Sequence, residues 1–98
     1  MPPSPRKYRS ALIIIQGILE ECMKGENKDG IVKSSIYKNL NLKTAVGEKY
    51  LEQLIKAQYI TMTEEIWGRE RTRHRVQITQ RGIQRFEWFV KLSSELTI

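Results

Sequence analysis

Ninety-eight residues, 40% of them hydrophobic and 29% charged, fit one ordinary globular domain, too apolar for a disordered chain and too polar for a membrane protein. One histidine and one cysteine cannot supply a zinc-finger ligand set, and no glycine-rich phosphate loop or nucleophile elbow occurs, so no enzyme, metal or cofactor is expected. The net charge of +6 is concentrated: residues 1–9 carry +3 and residues 66–85 carry +5, while 10–65 and 86–98 each carry −1, which is a footprint for a polyanion.

Prolines at positions 2, 3 and 5 bar regular structure, so residues 1–7 read as a flexible basic tail ahead of a domain over 8–98. Arg6, Lys7 and Arg9 could serve as a minor-groove arm or simply as a solubilising tail. The longest apolar run, Ala11 to Ile15, is too short to span a bilayer and no signal core precedes it, so a cytoplasmic protein without a membrane role is expected.

From Tyr8 to about Lys24, Tyr8, Leu12, Ile15, Leu19 and Cys22 recur at helical steps and define the inner face of a first helix. Cys22 then reads as a small core residue, and Ile13 and Ile14 fall off the face as surplus apolar surface. A short β-branched stretch, Gly30-Ile31-Val32, precedes a helix capped by Ser34 and running to Leu40 with Ile36 and Leu40 inward. After Asn41-Leu42-Lys43, Thr44 is expected to cap a helix to about Ala57, with Gly47, Leu51, Leu54 and Ile55 on its inner face. Gly47 predicts close packing on the helix before it.

Beyond Gln58 the period changes to two. Residues 60–67 and 71–78 alternate around Gly68-Arg69-Glu70, and a three-residue loop sets Ile60 opposite Ile78, Met62 opposite Val76, Glu65 opposite Arg73 and Trp67 opposite Arg71. Thr79 should cap a last helix over about 80–96, with Gly82, Ile83, Phe86, Val90 and Ser93 facing the core.

This order gives an α+β, mostly helical fold, a helix-turn-helix carrying a β-hairpin wing and a C-terminal helix. Arg9-Ser10 leading into Ile14-Ile15-Gln16-Gly17-Ile18-Leu19-Glu20, then Tyr50-Leu51-Glu52-Gln53-Leu54-Ile55 and Ile78-Thr79-Gln80-Arg81-Gly82, resembles the archaeal winged helix-turn-helix regulators and their small chromatin-protein relatives. The resemblance implies that the third helix and the wing meet double-stranded DNA and that the last helix pairs with its counterpart in a homodimer. It also implies a role in transcription regulation or at the nucleoid. The final helix ends soon after Leu96, short for the long coiled coil of some relatives.

The residues support the DNA reading independently. With Leu51 inward, Ala45, Lys49, Gln53 and Lys56 form the outer face of the third helix, with Lys43 and Thr44 at its start. Lysine can meet guanine or phosphate, glutamine can pair with adenine, and alanine can touch a thymine methyl. Glu52 on the edge of that face is unfavourable near phosphates. Arg69, Arg71, Arg73 and Arg75 form the densest basic cluster, on one side of the hairpin and its tip, where they could follow a phosphate track or enter a minor groove. Trp67 could stack beneath Arg71 or lie on a sugar edge, and His74 faces Glu64. A second apolar stripe on the last helix, Trp88, Phe89, Leu92 and Leu96, joins Ile13 and Ile14 as the expected dimer interface. The rival readings are a protein-interaction module whose arginines meet an acidic partner, and an RNA-binding wing.

Overall fold

The computed structural model describes residues 10–26 and 28–96. The tail, Tyr8 and Arg9 lie outside them. The elements are α1 (Ala11–Met23), β1 (Ile31–Val32), α2 (Lys33–Leu40), α3 (Thr44–Lys56), β2 (Ile60–Trp67), β3 (Arg71–Ile78) and α4 (Gln80–Leu96). The three strands form one antiparallel sheet in the order β1-β3-β2. This is the α+β, mostly helical winged arrangement read from the sequence.

Ser10 caps α1, its hydroxyl accepting from the Ile13 amide at 3.2 Å. The helix buries Ile14, Ile18, Leu19, Glu21 and Cys22, while Leu12 is 62% exposed. This corrects the expected face, since Leu12 lies outside and Ile14 lies in the core. Ala11 to Ile15 are all apolar and set no phase; the phase comes from Ile18, Leu19 and Cys22 further along.

The two cap assignments before α2 and α3 are also corrected. The chain leaves β1 directly into α2, with Val32 at the N-cap and no side-chain cap, so Ser34 sits inside the first turn. Thr44 is likewise the first helical residue of α3, behind Lys43, which makes no side-chain cap bond. Between the helices Asn41 adopts φ 56, and the Asn41 and Leu42 amides return to the Lys38 and Tyr37 carbonyls.

In the wing, Ile60 pairs with Ile78, Met62 with Val76, Glu65 with Arg73 and Trp67 with Arg71, the register that alternation dictated. Gly68, at φ +67, supplies the left-handed backbone that the three-residue tip needs. Thr79 caps α4 as expected, its hydroxyl accepting from the Gly82 amide at 3.0 Å and donating to the Gln58 carbonyl at 2.7 Å.

The core gathers Ile14, Ile18, Leu19 and Cys22 of α1, Ile36 and Tyr37 of α2, Leu51 and Leu54 of α3, Ile60, Val76 and Phe89. Phe89 is buried and Val90 is 47% exposed, the reverse of the expected assignment on α4. The reason is tertiary. A Cβ on Gly82 would stand 2.1 Å from the Tyr59 carbonyl oxygen, so α4 docks on backbone at its first turn. That contact fixes the helix rotation and brings residues 82, 86, 89 and 93 inward.

Candidate nucleic-acid interface

The outer face of α3 is held at a fixed angle by what lies beneath it. A Cβ on Gly47 would come within 2.3 Å of the Tyr37 ring, so the two helices cross at the closest distance a glycine permits. The Tyr37 hydroxyl donates to Glu48, and the Lys33 ammonium reaches the same carboxylate at 3.0 Å. Those two hydrogen bonds, Tyr37 first, hold the Glu48 carboxyl below the usual range, while the Tyr37 phenol is pushed up by burial and by Glu48. Glu48 is thereby engaged by its own scaffold.

With that anchoring, Ala45, Lys49, Gln53 and Lys56 are all exposed on one face, and Lys43 and Thr44 stand exposed at its start. Lys43 and Lys49 have no carboxylate partner among the described residues. Lys56 pairs with Glu52 at 3.2 Å, but both side chains are about two-thirds or more exposed, and such a pair holds at most about 1 kcal/mol.

The wing divides into two kinds of arginine. Strand alternation places Thr63, Glu65 and Trp67 with Arg71, Arg73 and Arg75 on the sheet face opposite Ile60, Met62 and Val76. On it, Glu65 takes both Arg73 and Arg75, the latter at 3.0 Å. Arg75 also donates to the Gly30 carbonyl at 3.3 Å, tying the wing base to the chain entering β1. The Glu65 carboxyl is held below its usual range by these bonds, that from Arg73 first. Arg69 and Arg71, at the tip, are exposed and have no carboxylate partner among the described residues. The Trp67 ring has the Arg73 guanidinium 5.0 Å and the Arg71 guanidinium 5.7 Å from its centroid, so it organises two cations without neutralising them. His74 meets Glu64 at 3.3 Å, as its strand position implies.

The residues expected at a dimer interface also separate. Ile13, Trp88 and Leu96 are about half or more exposed and Leu92 is half-buried, whereas Ile14 and Phe89 belong to the core. Leu12, assigned inward, joins the exposed set. Sequence reasoning counted Arg81 and Arg85 only as charge, yet both stand over the Tyr59 ring, and Arg85 also over Trp88. Their signal was the spacing 81, 85, 88 on one helix face.

Burial pushes the Cys22 thiol up to about 12, with the Glu21 charge adding to it, so it behaves as packing. Among the described residues no helix is long and apolar enough to cross a membrane, and no three acidic, histidine or cysteine side chains cluster to hold a metal. A family model described as winged helix-turn-helix matches residues 8–96. No curated protein and no solved structure matches the chain.

Proposed function

We propose, from the fact that this chain belongs to the winged helix-turn-helix family, that it binds double-stranded DNA as a homodimer. The observation that carries the reading is the pairing of two unneutralised basic surfaces. Lys43 and Lys49 lie on the exposed face of a rigidly packed helix, and Arg69 and Arg71 lie at the tip of the adjoining wing. A major groove accepts α3, with Lys49 on guanine or phosphate, Gln53 on adenine and Ala45 against a thymine methyl. Lys43, Thr44 and Lys56 approach the flanking phosphates. Arg69 and Arg71 take the backbone or the minor groove, with Arg73 stacked behind them on Trp67. Arg75 serves the fold.

Two-fold pairing buries apolar surface that one chain leaves out: Ile13 from α1, with Leu92 and Leu96 from α4. It also presents two α3 helices and two wings to one duplex. The resemblance to archaeal regulators and chromatin proteins supports a role in regulation or compaction of DNA, at the nucleoid in the cytoplasm.

Titrating labelled DNA duplex, RNA duplex and single strand over a salt series tests the reading. Tightest binding to DNA duplex with a steep, linear fall of log affinity against log salt is expected, because bound phosphates release counterions. Equal affinity for RNA duplex, or no binding at low salt, contradicts it.

A further inference from the structure

A cleft between α1, the end of α3, the residue before β2 and α4 has two unlike halves. The apolar half, about 390 Å³, is walled by Leu12, Ile15, Leu54, Ala57 and Phe89. The polar half, about 400 Å³, is bounded by Arg81 and Gln84. Tyr59, Arg85 and Trp88 line both, so the halves join along these three side chains.

The cationic end is built and left unneutralised. The Arg85 Nε donates to the Tyr59 hydroxyl at 3.2 Å, and its guanidinium lies 5.2 Å from the Trp88 centroid. The Arg81 guanidinium lies 5.6 Å from the Tyr59 centroid. Among the described residues neither arginine meets a carboxylate. An aromatic face orients a guanidinium without cancelling its charge, and the terminal amino groups of both remain as donors for an anion. Two like charges held beside one ring, opening onto an apolar cavity, match a molecule with the opposite charge at one end and an apolar body at the other. The size falls within the range that small-molecule sites occupy, and the few convergent polar groups fit their usual make-up. A DNA phosphate would satisfy the arginines but leave the apolar half unused.

We propose that this cleft binds a small amphipathic organic anion, its carboxylate or phosphate head on Arg81 and Arg85 and its apolar body against Trp88, Phe89, Leu12 and Ile15. Gln53 of α3 also lines the apolar half, so the occupant touches the face assigned to DNA. Binding is read directly and stands apart from the DNA reading.

Calorimetric titration of the full chain with 1-naphthoate, with uncharged 1-naphthalenemethanol and with inorganic phosphate tests it. Naphthoate should bind one per chain, at least about tenfold tighter than either control, since each control lacks one half of the match. Arg85→Gln and the exposed-site Arg81→Gln should each weaken naphthoate at least about tenfold with an unchanged circular dichroism spectrum. Equal binding of the uncharged compound, undiminished binding in Arg81→Gln, or no binding at millimolar naphthoate overturns the proposal. So does an affinity that falls as protein concentration rises, which would show a second copy filling the cleft.

Discussion

Replacing Gly47 by alanine should damage the junction on which the α3 face depends. The added Cβ would stand 2.3 Å from Tyr37 Cε1 and 2.6 Å from Cδ1 and Cζ, against a carbon–carbon contact of about 3.5–4.0 Å. The ring cannot retreat, being 7% exposed with its hydroxyl held by Glu48. Overpacking costs about 1–3 kcal/mol, a contact this far inside ordinary distance belongs to the upper part of that range, about 2–3, and the better helix propensity of alanine returns about 1. A net loss of about 1–2 kcal/mol should lower the melting temperature of a domain this size by about 5–15 °C. Urea unfolding followed by far-ultraviolet circular dichroism should show a lower midpoint with an unchanged slope. Tyr37→Leu combined with Gly47→Ala should be less destabilised than the sum of the two single variants, because the clash needs both partners. A Gly47→Ala protein as stable as the parent would show that the ring does not pack on the glycine.

Three further outcomes follow from the same geometry. Arg69→Ala with Arg71→Ala should weaken binding to every duplex sequence and reduce the log–log salt slope by about 2, whereas Arg75→Ala should leave the slope unchanged and lower the melting temperature. An unchanged slope in the double variant removes the wing tip from the interface. Light scattering should report twice the chain mass, and Leu92→Glu with Leu96→Glu should yield a folded monomer that binds DNA more weakly; a parent protein that stays monomeric at high concentration rules out the interface. Acid should destabilise the fold. Burial works against the Glu21 carboxylate, but hydrogen bonds from Lys24 and Asn39 outweigh it, so Glu21, like Glu48, is held below the ordinary 4.5. Groups lowered in the folded state stabilise fully above that value and lose their contribution as pH falls through the folded one. Melting temperature should therefore be flat above about pH 5 and fall below it, with a shallower fall in Glu21→Gln. An identical acid profile in Glu21→Gln removes Glu21 from this account.

What the sequence made legible is what short-range pattern controls. The wing register was readable because alternation pairs Ile60 with Ile78 and Glu65 with Arg73 only around a three-residue tip. The α3 face was readable because Gly47, Leu51 and Leu54 leave Lys49 and Gln53 no inward position. Ala11 to Ile15 defeated the phase of α1 because five apolar neighbours favour no direction. The rotation of α4 depends on the Gly82 contact with the Tyr59 carbonyl, which no local period encodes. Alternation showed which side of the strand Arg73 and Arg75 occupy, but one carboxylate holding both is a matter of three-dimensional reach. The cleft was invisible for a similar reason, since Leu12, Tyr59 and Arg85 meet only when α1, the turn before β2 and α4 come together.

Amide chemical-shift mapping during titration with a DNA duplex tests the central claim most directly, because it reads the contact surface residue by residue. Changes should cluster on Lys43, Ala45, Lys49 and Gln53 and at Arg69 and Arg71, and should diminish as salt is raised. Perturbations confined to the Arg81–Trp88 side of α4, with α3 and the wing tip silent at saturating duplex, would contradict it.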